Sequence, residues 1–188
     1  MHNSYLACFC CFNYLWGLAM IVCETKRLII QHFKLDDAEY VLKQLNEQSF
    51  IRFIADKQVR NLEDAEKYLK EGPMASYQKN GFGLNVVLLK QSGVQIGMCG
   101  LVKREELEHP DIGYAFLPDY WGEGYAIEAS EAILSNAVMA HGLKVILGVT
   151  LPDNRASNYL LARIGFTQKG SIKLYGSDNN LYAYQASC

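Results

Sequence analysis

Between Ile112 and Ala126 the chain reads Ile-Gly-Tyr-Ala-Phe-Leu-Pro-Asp-Tyr-Trp-Gly-Glu-Gly-Tyr-Ala. An apolar run is closed by a proline, a short loop follows, and a Gly-x-Gly pair opens a long apolar-patterned stretch. That order demands a strand, a tight turn and a helix in immediate succession. Glycines let successive backbone N–H groups point to one side, and the helix start adds its positive dipole end, so the turn can hold a diphosphate. The same glycines also suit a tight turn that binds nothing. A dinucleotide-binding fingerprint fits poorly, because no third glycine follows at the required spacing and the turn comes late in the chain. A Walker A loop fails as well, since no Gly-Lys-Ser/Thr follows.

The rest of the chain can be placed around this turn. Arg27 to Phe33 reads as a strand, and Asp36 as the N-cap of a helix through about Leu45. Asn61 to Lys79 is a second helical stretch, with Leu62, Ala65, Tyr68 and Leu69 at helical spacing and Pro73 placed to kink it. Leu84–Lys90 and Val94–Val102 form a hairpin across Gln91-Ser92-Gly93, and Asp111 to Leu117 is the strand that Pro118 ends. A long helix over Gly124–Ala140, a strand over Lys144–Leu151 and a helix over Asn154–Arg163 follow. Two closing strands cover about Phe166–Leu174 and Leu181–Ala186. Three strands in series favour antiparallel pairing and the later alternation favours a parallel crossover, so the sheet should be mixed within an α+β class.

With 188 residues, half of them hydrophobic, the chain suits one domain with a sizeable core. A net charge of -2 disfavours a general nucleic-acid binder. Six cysteines show neither paired CxxC elements nor Cys/His zinc spacing, which predicts no metal site, reduced thiols and a cytoplasmic protein. Leu6 to Val22 carries no charge, yet it lacks a basic n-region and is marginal in length for a membrane span. The expected division is an extension over residues 1–22, upstream of an alternative start at Met20, and a domain over residues 23–188. A membrane anchor is disfavoured, and a homodimer is left open.

The motifs together resemble the GNAT acetyltransferase superfamily. Trp121 to Ala126 is similar to its signature Q/R-x-x-G-x-G/A, ending in Gly124-Tyr125-Ala126. Asn154-Arg155-Ala156-Ser157, followed by Ile164-Gly165-Phe166, resembles the second family motif N-x-x-S…G-F. Glu24-Thr25-Lys26-Arg27-Leu28, Ile96-Gly97 and Gly100-Leu101 are similar to the RimJ/RimL-like branch, which acetylates protein N-termini and, in some members, small amines. The resemblance runs from about Glu24 to Ala186. It implies a central, mostly antiparallel mixed sheet of about six to seven strands, splayed at the CoA site and flanked by about four helices.

The resemblance also assigns roles. A bulge in the strand before the turn would splay it from its parallel neighbour, and pantetheine would bond to the main chain of Phe116 and Leu117. A main-chain N–H there would hold the thioester oxygen as it becomes negative. Amides of Gly122, Glu123, Gly124, Tyr125 and Ala126 would hold the pyrophosphate of acetyl-CoA, although Trp121 stands where the signature has Gln or Arg. Asn154 would bond the pantetheine arm or cap its helix, or do both. Ser157 would lie near the thioester sulfur as a proton source, with a small residue on a helix face as its plainer reading.

Related enzymes place a tyrosine acid seven residues after the motif asparagine and a glutamate base five before it; here these are Leu161 and Val149. Neither moves a proton. The remaining base candidates gather at the start of the central strand, where His109 and Asp111 follow Glu105, Glu106 and Glu108, and Asp111 is favoured. No thiol has a motif context for an acyl-cysteine, and Cys99 reads as core. The implied activity is transfer of acetyl from acetyl-CoA to a primary amine, of a peptide N-terminus or a small molecule, by direct attack in a ternary complex. The alternative is a CoA-binding regulatory protein or pseudoenzyme on the same fold. The acceptor groove would come from loops near Phe50–Lys57 and Leu174–Asn180.

Overall fold

Val86 and Val87 are adjacent in sequence and both fully buried, one in each of two separate apolar clusters. A strand with both faces covered explains this, because successive side chains point to opposite sides of a sheet. The computed structural model describes residues 20–174 and 176–186. Its sheet contains β1 (Ile21–Glu24), β2 (Leu28–His32), β3 (Leu84–Leu89), β4 (Gln95–Val102), β5 (Asp111–Phe116), β6 (Val145–Thr150), β7 (Thr167–Leu174) and β8 (Ser177–Gln185). The spatial order is β1-β2-β3-β4-β5-β6-β8-β7. Only β5 and β6 are parallel, so the fold is α+β with a mostly antiparallel mixed sheet.

Eight strands exceed the six to seven implied by the resemblance. The extra pairing comes from β1, whose first two residues fall in the segment read as an extension. Met20 already contributes its carbonyl to the His32 N–H, at 2.9 Å. Residues 1–19, with most of the uncharged run from Leu6, lie outside the described residues. Among the described residues no helix is long and apolar enough to cross a membrane.

The helical segments are α1 (Ala38–Leu45), α2 (Gln48–Phe53), α3 (Leu62–Leu69), α4 (Ala75–Asn80), α5 (Tyr125–His141) and α6 (Arg155–Arg163). The stretch read as one kinked helix is α3 and α4, joined through a π-turn at Lys70–Met74 that absorbs Pro73. The Asn61 side chain caps α3 by accepting the Asp64 N–H at 2.9 Å. Helix α2 overlaps the start of the expected Phe50–Lys57 loop and buries Phe50.

One cluster joins Leu28, Val87 and Ile112 of the sheet to Ala129, Ile133 and Ala137 of α5 and to Leu160 and Leu161 of α6. The other packs Val41 and Leu45 of α1 and Ala65 and Leu69 of α3 against Val86 and Met98. The bulge does not fall where the resemblance puts it. Strand β5 keeps an unbroken register with β4, from Val102↔Asp111 to Gly97↔Phe116. The irregularity is in β4 against β3, where Val87 faces Gly97 and Leu88 faces Gln95, so Ile96 is the additional residue. Gly97 is required beside it, since a Cβ there would lie 2.4 Å from the Phe116 ring.

Candidate active site

Strands β5 and β6 set out in parallel and then part. Asp111 and Leu147 are the one registered pair, tied by the Leu147 N–H to the Pro110 carbonyl at 2.8 Å. Antiparallel strands alternate residues whose N–H and C=O face the neighbour with residues whose groups face away. The Leu117 N–H donates to Ile96 O at 2.9 Å and sets the phase, so Tyr114 and Phe116 turn their main-chain groups away from β4 toward the opening. Of the two residues read as pantetheine contacts, Leu117 therefore has its N–H committed to the sheet, and Phe116 presents the free side. Trp121 adds a feature no motif signalled: its indole Nε1 donates to the Phe116 carbonyl at 2.8 Å.

The turn beyond β5 requires its glycines. Gly122 and Gly124 have φ of 80° and 79°, the left-handed region that side chains resist. Gly124 is the N-cap of α5, and the Glu128 N–H is the donor that returns to its carbonyl, at 3.1 Å. The N–H groups of Tyr125, Ala126 and Ile127 precede that first helical bond and point out of the helix start. Nothing stands within 4 Å of where a Gly122 Cβ would be, so the cradle is open.

A strap holds this helix start to the first hairpin. Glu128 accepts from Thr25 Oγ1 at 2.5 Å, from the Arg27 N–H at 3.0 Å and from Arg27 Nε at 2.6 Å. Arg27 Nη1 also donates to Glu123 O at 2.9 Å, and its guanidinium lies 4.4 Å from the Tyr125 ring centre. Burial pushes the Glu128 carboxyl up, but hydrogen bonds from Thr25 and Arg27 and the charge of Arg27 outweigh it and hold the group below its ordinary range. The sequence signal was the Thr-Lys-Arg start, read only as a match.

On the other side of the opening lies a cavity of about 730 Å³. Asn154 and Ser157 line it from α6, Tyr114 and Asp111 from β5, and Val149 and Leu161 close it with apolar surface. Asn154 caps α6 through Oδ1, which accepts the Ser157 N–H at 3.1 Å, and its Nδ2 remains a donor at the cavity. The Tyr114 hydroxyl reaches the Ser157 carbonyl at 3.5 Å, and burial pushes its phenol well above the ordinary value, so it stays protonated. Sequence reasoning passed over Tyr114 because its apolar strand context reads as core. It passed over Asn158 too. Asn158 Oδ1 accepts from Thr150 Oγ1 at 2.7 Å, Tyr182 OH at 2.8 Å and Asn180 Nδ2 at 2.9 Å. Its Nδ2 donates to the carbonyls of Asn154 at 2.8 Å and Leu151 at 3.1 Å.

A family model described as an acetyltransferase (GNAT) domain matches residues 27–167, which is most of the chain and contains the glycine turn and the Asn154 motif. The chain belongs to the GNAT acetyltransferase family. Among its GNAT relatives is the uncharacterized N-acetyltransferase YoaA of Bacillus subtilis (strain 168). It is 28% identical over 160 residues, covering 84% of this chain and 89% of YoaA. YnaD of the same organism, also an uncharacterized N-acetyltransferase, is 28% identical over 149 residues, covering 79% and 84%. The fold is that of an acetyltransferase from Agrobacterium tumefaciens, with a TM-score of 0.78 at 19% identity and 99% of each chain covered. It is also that of RimL, a ribosomal L7/L12 alpha-N-protein acetyltransferase solved with coenzyme A. There the TM-score is 0.77 at 18% identity, covering 88% of this chain and 97% of RimL.

As a GNAT site the geometry accommodates the co-substrate of the family. The open main-chain edge of β5 leads directly into an unobstructed amide cradle, and the polar face of the Asn154–Ser157 turn stands across the gap. The acid and base that other GNAT enzymes carry at the positions of Leu161 and Val149 have no substitute there. Leu161 is 1% exposed, and its methyls lie 2.8 Å from where a Gly148 Cβ would be. Asp111, read from sequence as a base, is 1% exposed, and its Oδ1 accepts from Arg104 Nε at 2.8 Å. Burial pushes its pKa up and Arg104 opposes that. The carboxylate is the partner of the Arg104 guanidinium, and the net effect of its surroundings is to raise its pKa. Cys99 is fully buried and burial pushes its thiol up to about 12, the wrong direction for a nucleophile.

Proposed function

We propose that the protein is an acetyl-CoA-dependent N-acetyltransferase that acetylates a primary amine, of a peptide N-terminus or a small molecule, by direct attack in a ternary complex. The observation that carries this is the divergence of β5 from β6 beyond Asp111, which opens a main-chain edge between the glycine turn and the cavity. Acetyl-CoA supplies the activated acyl group. Amides of Gly122 to Ala126 hold its pyrophosphate, the Phe116 main chain and Asn154 Nδ2 hold the pantetheine arm, and Trp121 yields the Phe116 carbonyl to it. The Tyr114 phenol and the Ser157 hydroxyl keep their protons at the cavity wall, where a departing sulfur needs one. Asp111 is assigned to fixing Arg104, not to proton removal.

With no free base in the apolar wall, the site should favour an amine already partly neutral. An α-amine of pKa about 8 is about a tenth neutral at pH 7, whereas a lysine of pKa about 10.4 is neutral in about one molecule in 2,500. The likeness to RimL, an alpha-N-protein acetyltransferase, supports the same class. The test compares acetyl-CoA turnover on peptides with free N-termini against N-blocked peptides containing lysine, across pH 6 to 9. Faster reaction of the blocked lysine peptides at neutral pH refutes the acceptor assignment. Binding of acetyl-CoA without turnover on any amine refutes the transferase.

A further inference from the structure

Arg27 reaches the glycine turn from the first hairpin and grips it at a carbonyl. Glu128 accepts the Arg27 N–H at 3.0 Å and Nε at 2.6 Å. A guanidinium is planar, so fixing Nε also fixes where its other nitrogens lie. Nη1 donates to the Glu123 carbonyl at 2.9 Å, and Nη2 lies 3.6 Å from where a Gly124 Cβ would stand. The charge of Arg27 is already matched by Glu128, so what it delivers to the turn is a direction.

The Glu123–Gly124 peptide is trans, like every peptide bond among the described residues. In a trans peptide the C=O and the following N–H point in opposite directions. With its carbonyl on Arg27, this peptide turns the Gly124 N–H away from the hairpin, where no protein group among the described residues accepts it. The opposite orientation is within easy reach. A peptide plane followed by glycine can flip, because Gly124 lacks the Cβ that would oppose a change in the sign of φ. The flip would put the Glu123 oxygen, the negative end of the peptide dipole, where a donor is needed.

Resting on the reading that this turn holds the diphosphate of acetyl-CoA, we propose that Arg27 is a positioning residue for the co-substrate, locking the Glu123–Gly124 peptide with its N–H aimed at a phosphate oxygen. Glu128 aligns the guanidinium from within the helix that the turn opens, so the lock and the helix start form one unit. A lysine at this position can pair with Glu128 but has no second, rigidly placed donor for the carbonyl.

The test measures Kd for CoA and for pantetheine, which lacks the diphosphate, from amide chemical shifts of the isotope-labelled full chain. Wild type should bind CoA the more tightly, and its Gly124 amide resonance should move with CoA but not with pantetheine. Arg27→Lys, which keeps the ion pair, should weaken CoA by about ten-fold, as expected for a lost hydrogen bond from a charged group, and change pantetheine by less than about two-fold. Thermal unfolding of the variant, read alongside, reports its fold. Retained CoA affinity in Arg27→Lys, equal weakening of both ligands, or a Gly124 resonance indifferent to CoA overturns the role of Arg27 and leaves the transferase reading in place. Wild type that binds the two ligands equally overturns the diphosphate cradle and this proposal with it. If CoA binds in an Arg27-dependent way and no amine is acetylated, the transferase reading fails and the positioning role stands.

Discussion

Replacing Asn158 by alanine should loosen the pantetheine-facing turn without touching it directly. The side chain joins three elements: β6 through Thr150, β8 through Tyr182 and Asn180, and the start of α6 through the Asn154 carbonyl. Thr150 and Tyr182 are each 7% exposed, so their hydroxyls have little access to water once the amide is gone. A buried hydroxyl left without its partner costs about 1–3 kcal/mol, and a hydrogen bond lost nearer the surface about 1 kcal/mol. Allowing for relaxation, Asn158→Ala should destabilise by roughly 2–4 kcal/mol, which in a domain of this size is about 4–16 °C in Tm. Because Asn154 and Ser157 move with the turn, CoA affinity should fall as well, by about ten-fold. Asn158→Asp keeps the acceptor for Thr150, Tyr182 and Asn180 and should recover part of the stability. Thermal unfolding with and without CoA, together with calorimetry, reads all three quantities. A loss below about 1 kcal/mol with unchanged CoA affinity would refute the idea that this amide organises the site.

Other consequences are open to measurement. Gly124→Asp places a charge and a side chain in a left-handed N-cap facing the cradle, so CoA affinity should drop roughly a hundred-fold while the protein stays folded; retained affinity would put the diphosphate elsewhere. Asn154→Ala should mainly weaken CoA binding, whereas Ser157→Ala should mainly slow turnover, by about ten-fold for a lost proton source; equal effects on affinity with no change in turnover would reduce Ser157 to packing. Glu128 has a depressed pKa, so its contribution to stability is present above the ordinary carboxylate range and disappears as the pH falls through its lower folded value. Glu128→Gln should therefore destabilise at neutral pH and lose that difference in acid, in melts taken from pH 7 to pH 3.

Local chemistry was legible in the sequence and distant encounters were not. The glycine turn, the cap at Asn154 and the strands of the central sheet follow from residues close in the chain, where steric and hydrogen-bonding rules act directly. Ser177 to Asn180 is polar and reads as a loop. Pairing with β7 and the Asn179 amide, which donates to Ser177 O at 2.9 Å, makes it a strand. The partner of Asp111, Arg104, lies seven residues back, across a loop whose path the sequence does not specify. Arg27 finds Glu128 from 101 residues away. Contacts of that kind depend on topology, which no window of sequence contains.

The single registered pair between β5 and β6 gives the sheet a mechanical character of its own. Five strands on one side and three on the other behave as two plates meeting at a seam, with α5 packed on the first and α6 on the second. A molecule lodged in the seam acts as mortar, bonding to both plates at once. At a hundred times its Kd such a ligand adds about 2.7 kcal/mol to the folded state. Amide exchange along the seam, proteolytic lifetime and heat resistance should therefore rise and fall with the supply of whatever ligand the seam holds.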